Sequence, residues 1–221
     1  MKITVFFCLI IVGQTFHVLG QGIENAPHPN PPIPVEVSVN NRGLNSQLSF
    51  SRQFTPTSRF GFFNVTNFLG TYKNDLAHNE FFSQSLLTAR IWKKLSAVTG
   101  FSINNAVGFK PTAGLQFLHA SPKVLAVIQP QIGLTEDHHF ETFSLLEYKP
   151  KINKTWGIYT RIQGLIDYGF SQNMHNRSYV YLRAGASYKN YQFGISKNFD
   201  FYGPAKHYEN SLGVFVRAEL F

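Results

Sequence analysis

Cysteine is almost missing from this chain: Cys8 is the only one in 221 residues. Residues beyond it can form no disulfide, no cysteine zinc site and no thiol nucleophile. Charge is scarce as well, at 14% of residues, where soluble domains carry roughly 25%. After residue 20 there is no apolar run of about 18 residues, which excludes a transmembrane helix there. No glycine-rich phosphate loop occurs either, which argues against nucleotide chemistry. Aromatic residues, in contrast, reach 15%. A chain richer in aromatic than in charged side chains needs something other than water against much of its surface.

The first twenty residues differ from the rest. Lys2 is a short positive start, Ile3 to Val12 is nearly unbroken apolar sequence, and Val18-Leu19-Gly20 offers a cleavage site. This pattern predicts a secretory signal peptide over 1–20, too short in its apolar core to span a bilayer. The exported chain then starts at Gln21. Removing Lys2 leaves 19 Lys+Arg against 12 Asp+Glu, a net charge of +7. The basic residues are scattered singly and the chain is exported, so nucleic acid is not the expected partner. A positively lined cavity, or contact with anionic lipid head groups, fits better. Pro27, Pro29, Pro31, Pro32 and Pro34 make 21–34 an extended lead-in, because proline cannot donate to a hydrogen-bond ladder.

From Val35 onward apolar and polar residues alternate with period two, punctuated by turn residues. Val124, Ala126, Ile128, Ile132 and Leu134 share one face, Gln129 and Gln131 the other. Ile158, Ile162 and Ile166 oppose Tyr159, Arg161, Gln163 and Asp167. Val180, Leu182 and Ala184 oppose Tyr179, Tyr181 and Arg183, and Leu212, Val214 and Val216 oppose Arg217 and Glu219. The turn signals divide 35–221 into twelve segments of roughly 16 residues, enough for a tilted membrane strand and its connection. They lie near 35–40, 44–54, 59–70, 80–92, 95–107, 112–120, 123–135, 139–149, 155–169, 178–188, 191–201 and 211–221. Segment 35–40 is short and Phe140 to Tyr148 alternates poorly, so ten strands is the alternative count. The expected fold is all-β: a closed antiparallel transmembrane β-barrel over 35–221, with a soluble β-sandwich or lipocalin-like barrel as the competing class.

The leader, the alternating segments and the closing Gly213-Val214-Phe215-Val216-Arg217-Ala218-Glu219-Leu220-Phe221 resemble bacterial outer-membrane β-barrel proteins. The resemblance implies an outer-membrane location, a periplasmic 21–34 segment, contact with outer-membrane lipid, and delivery to the barrel-assembly machinery through terminal Phe221. Glu219 and Arg217 depart from that pattern, which has apolar residues two and four places before the end. It also implies short periplasmic turns and longer outer loops, here Thr71 to Asn79, Ser171 to Arg177 and Tyr202 to Asn210. The architecture is similar to small monomeric twelve-stranded porins for acidic oligosaccharides, although no shared motif carries residues across.

If the apolar stripes face lipid, the opposite parity faces the lumen. Arg90, Tyr159, Arg161, Gln163, Asp167, Arg183, Arg217 and Glu219 are then the pore-lining candidates, together with Gln84, Gln116, Gln129, Gln131, Tyr179 and Tyr181. The leading expectation is a narrow passive pore for small, preferably anionic solutes, because guanidinium groups stay charged and bind carboxylates in pairs. Against it stands an internal plug, with Asp167 neutralising Arg161 or Arg183 and Glu219 neutralising Arg217. An accessory or scaffolding barrel subunit that binds other envelope proteins is the second class.

A lipid hydrolase comes third. His119-Ala120-Ser121 resembles the His-x-Ser arrangement of outer-membrane lipid A deacylases, with Glu136 as a carboxylate beyond it. Pro122 and the far position of Glu136 count against that site. Neighbouring His138 and His139 point to opposite strand faces and cannot share one metal ion easily. No metal or cofactor is expected, and the glycosylation-type triplets at Asn64, Asn153 and Asn176 are read as incidental.

Overall fold

Twelve alternating segments each need hydrogen-bond partners along two edges, and in the computed structural model the sheet closes on itself to supply them. The structure describes residues 30–72, 78–105, 108–136 and 139–221. The leader and residues 21–29 of the proline-rich segment lie outside the described residues, as does His138. The strands are β1 Ile33–Asn40, β2 Gly43–Gln53, β3 Phe60–Thr71, β4 Glu80–Trp92, β5 Leu95–Asn104, β6 Gly108–Ala120, β7 Val124–Gly133, β8 His139–Tyr148, β9 Trp156–Gly169, β10 Met174–Tyr188, β11 Tyr191–Tyr202 and β12 His207–Leu220. Each pairs antiparallel with its sequence neighbours, and β1 closes the barrel on β12 from Ile33↔Leu220 to Asn40↔Gly213. Twelve is therefore the strand number, and the two weak segments are true strands.

Register puts one parity of every strand outside. Ile128 is 52% exposed while its neighbour Gln129 is fully buried, the reverse of a water-soluble sheet. Val35, Val37, Leu146, Ile162, Ile195 and Val214 continue the exposed apolar wall. Aromatic pairs gather near both rims: Trp156 with Tyr188 and Phe193 at the end holding Ile33 and Leu220 (the terminal end), Phe140, Tyr168 and Phe170, and Phe201 with Tyr208, at the opposite, far end. Polar side chains in the middle of the wall bond to each other. Asn64 Nδ2 donates to Ser85 Oγ at 3.0 Å, and the Thr66 and Ser83 hydroxyls meet at 2.8 Å, as an apolar solvent requires.

The loop asymmetry expected from the sequence is muted. Terminal-end connections run from two to seven residues and far-end ones from two to eight. The reason is that β10 starts at Met174 and β12 at His207, so residues assigned to long loops extend the barrel wall. At the terminal end the chain enters β1 two residues earlier than expected, and Asn30 Oδ1 accepts the Gln53 backbone N–H at 2.8 Å.

Candidate functional site

The interior divides into three levels. The terminal half is filled. On the β3–β8 side, Phe63, Val65, Leu86, Val98, Val127, Phe143 and Leu145 form an apolar cluster inside the barrel. Pro31, Pro32 and Pro34 lie against several of these residues and leave only about 40 Å³ between them. On the opposite side Arg217, 1% exposed, donates through both terminal nitrogens to the Glu147 carboxylate and also bonds Tyr159 Oη. Lys149 Nζ closes the same cluster on Glu219 Oε2 at 2.6 Å.

The middle level is a layer of bonds across the lumen. Arg161 Nη2 and Arg183 Nε both donate to Glu36 Oε1 at 2.8 Å. Arg183 Nη1 adds Asn198 Oδ1 at 2.7 Å, and Gln47 Nε2 donates to Gln163 Oε1 at 3.0 Å. Gln116 passes a hydrogen bond to Gln129, and Gln129 passes one to Gln84. Gln84 and Gln131 then donate to Glu141. An amide both donates and accepts, so such side chains extend a chain without adding charge. Glu36, Arg161 and Arg183 are tolerated here because each meets an opposite charge, and Glu141 is held by the amides of Gln84 and Gln131.

Above this layer a cavity of about 400 Å³ occupies the far half. Asparagines from several strands line it, with Tyr179, Tyr181 and Tyr202. Its charged ring joins four strands and a turn: Arg42, in the β1–β2 turn, contacts Glu80 at 3.0 Å, Glu209 at 2.6 Å and Asp200 at 3.6 Å. Arg177 contacts Glu80 at 2.8 Å and Asp200 at 3.0 Å. Burial works against the Arg42 charge, but Tyr202, Glu80 and Glu209 outweigh it and hold the guanidinium above its ordinary pKa.

All eight pore-lining candidates lie on inward positions of the register, but their partners differ from those expected. Asp167 pairs with neither arginine; it accepts from Asn176 Nδ2 at 3.0 Å. Arg161 and Arg183 converge on Glu36 instead. Glu219 contacts Arg217 at 3.4 Å, but the main partner of Arg217 is Glu147. Gln163 bridges Gln47 and Tyr179, and Tyr159 bonds Glu147 and Arg217. Arg90 sits near the terminal rim, where it reaches the Ser58 carbonyl at 3.4 Å.

Glu36 and Glu147 were missed as partners although parity marked them. Glu36 alternates with Val35 and Val37, and Glu147 shares the parity of Glu141. Arg42 and Arg177 fall between the alternating segments, so nothing in the pattern aims them inward.

The His119-x-Ser121 constellation is not assembled. His119 is on the outward parity of β6, and Ser121 Oγ is bonded to the Val124 backbone at the terminal end. Glu136 lies in the β7–β8 connection at the far end. Among the described residues no group of three or more His, Cys, Asp or Glu is placed to hold a metal ion.

An apolar outer wall, aromatic rims and a polar, hydrogen-bonded interior define a transmembrane β-barrel, here with a one-sided vestibule. No protein-family model and no curated protein sequence matches the chain. Among solved structures it is similar to the KdgM porin, at 12% identity and TM-score 0.46, covering 86% of this chain and 99% of that one. It is similar to the NanC porin at 11% identity and TM-score 0.47, covering 85% and 100%. OmpT of Vibrio cholerae aligns at 11% identity and TM-score 0.38, over 79% of this chain and 64% of that one.

Proposed function

We propose that this chain is an outer-membrane β-barrel of the porin type, in which small polar solutes enter the far-end vestibule and pass when the cross-lumen bonds open and the side chains filling the terminal half move aside. The observation that carries this is the 400 Å³ polar cavity, open at the far end and floored by side-chain bonds rather than by backbone. Side-chain gates can move without breaking the barrel's ladder. With the lead-in segment in the periplasm, the vestibule faces outward.

The arginines taken alone predict anion preference. Six carboxylates and three arginines line the vestibule, and every one of these arginines is bonded to a carboxylate. That balance favours neutral and cationic solutes at the mouth, because a cavity of one sign concentrates the opposite charge. The test is single-channel conductance of the refolded protein in a planar bilayer under a salt gradient. Steady or flickering conductance with a cation-favouring reversal potential is expected, and an anion-favouring one reverses the charge assignment.

A second reading rests on the filled terminal half. Arg217, Glu147, Tyr159 and the apolar cluster occupy the space a permanent channel would need, which suits an accessory barrel whose outer wall binds other envelope proteins. A correctly inserted but silent protein selects this reading over solute passage.

A further inference from the structure

β10 carries a register break between His175 and Arg177, where Asn176 is the extra residue. In a regular strand, residues three apart point to opposite faces. The bulge cancels that inversion, so His175 (opposite Tyr168) and Ser178 (opposite Ile166) both lie on the outer face of the wall. There the two side chains meet: His175 Nε2 and Ser178 Oγ are 3.0 Å apart, and His175 Nδ1 is 2.7 Å from the Gly203 carbonyl oxygen. Both side chains are partly exposed.

The carbonyl settles the tautomer. Oxygen can only accept, so Nδ1 carries a proton, and when the ring is neutral its Nε2 lone pair faces the Ser178 hydroxyl. Gly203 itself is anchored: its φ of +65° turns the β11–β12 connection back, and its N–H donates to the Asn176 carbonyl at 2.8 Å. A nucleophile, a base and a group that orients the base are thus held in order.

We propose that His175 and Ser178 form a nucleophile–base pair acting on carboxylic esters of membrane acyl lipids. Position supports lipid as the substrate. Ser178 sits four residues below the far end of β10, opposite Phe201, which packs on Tyr208 at the far rim. Rim aromatics of a membrane barrel mark the head-group level, where acyl ester carbonyls lie. The membrane setting is shared with the proposed function, but the reaction does not depend on an open lumen.

In the reaction Ser178 Oγ bonds to the ester carbonyl carbon while His175 Nε2 takes its proton. The ester C–O bond then breaks, and Nε2 returns the proton to the departing alcohol, leaving acyl-Ser178. Water, deprotonated by Nε2, adds to the acyl carbon; the bond to Oγ breaks and the proton returns to Ser178, releasing a fatty acid. No oxidant or cofactor is required.

The test is labelling of the refolded full-length protein by a fluorophosphonate, with the adduct mapped by mass spectrometry. Barrel integrity is followed by heat-modifiable gel mobility. An adduct at Ser178 is expected, absent in Ser178→Ala and slowed at least about a hundredfold in His175→Gln. The glutamine can still donate to the Gly203 carbonyl but cannot take a proton, so a purely structural strap would leave labelling unchanged. A folded wild-type protein without the adduct, or His175→Gln labelled at the wild-type rate, overturns the proposal. Fatty-acid release from phosphatidylethanolamine vesicles, and separately from vesicles holding an acylated glucosamine lipid, identifies the source of the ester. An adduct with neither lipid hydrolysed overturns the lipid assignment.

Discussion

Glu36 on β1 and Arg161 on β9 are 125 positions apart in the chain and 2.8 Å apart across the lumen. Arg183 approaches the same Glu36 oxygen at the same distance, so one carboxylate holds two guanidinium groups in the barrel interior. Among the described residues the second oxygen of Glu36 has no hydrogen-bond partner. The charged part of the middle level therefore centres on a single residue, beside the amide bonds of Gln47–Gln163 and of Gln116, Gln129, Gln84 and Gln131 with Glu141.

Glu36→Ala leaves two buried arginines without their shared carboxylate. Removing one partner of a buried pair costs about 3–5 kcal/mol, and the urea midpoint of the protein refolded in lipid vesicles is expected to fall accordingly. The same variant is expected to raise open probability in a planar bilayer, since it removes a bond of the gate. Unchanged conductance together with lowered stability identifies the set as structural only.

Arg217 and Glu147 are expected to be strongly coupled. Arg217→Met leaves the buried Glu147 without its guanidinium and Glu147→Leu leaves Arg217 with its longer contact to Glu219, whereas the double variant replaces both by apolar groups of similar volume. The double variant is expected to unfold at a higher urea concentration than either single one, because desolvation offsets much of the pair's attraction. Additive losses in the four-protein cycle would contradict this.

The ring around Arg42 sets the charge at the mouth. Converting Glu80 and Glu209 to Gln removes two of its carboxylates and frees Arg42 of two contacts. The reversal potential under a salt gradient is expected to move toward anion preference, and more so at low salt, where screening is weaker. A reversal potential unmoved by these changes places the selectivity step elsewhere.

The outer wall tests the membrane assignment. Ile128 projects from the middle of β7 and is half exposed. Ile128→Arg is expected to destabilise the barrel in lipid vesicles by about 2–4 kcal/mol, as for midplane charges on other barrels. If the face met water, the same change would fall within roughly ±0.5 kcal/mol.

The strands and the facing of most of their residues were legible in the sequence, because a pleated strand encodes its two faces with a strict period of two; barrel closure then decided for twelve strands over ten. Val124 to Gly133 and Trp156 to Gly169 needed nothing more. The inward facing of Gln129, Gln163, Arg161 and Arg183 also followed from parity, whereas that of Arg42 and Arg177 did not. Strand ends were less legible: residues around Met174 and His207 carry turn-like composition, yet the neighbouring strand extends far enough to pair with them.

Parity says which way a side chain points, not which side chain it meets across the lumen. Arg161 turned to Glu36 rather than to nearby Asp167 because barrel closure and shear bring β1 opposite β9, a relation with no trace in local sequence. The vestibule's net acidity likewise arose when Arg42, Glu80, Asp200 and Glu209 were gathered from separate strands and a turn. His175 and Ser178 came together only through the bulge at Asn176. The sequence alone determined the barrel, since alternation is a local property of the backbone. Tertiary structure decided what fills it and which residues face each other, since those contacts depend on how twelve strands are tilted and staggered around one axis.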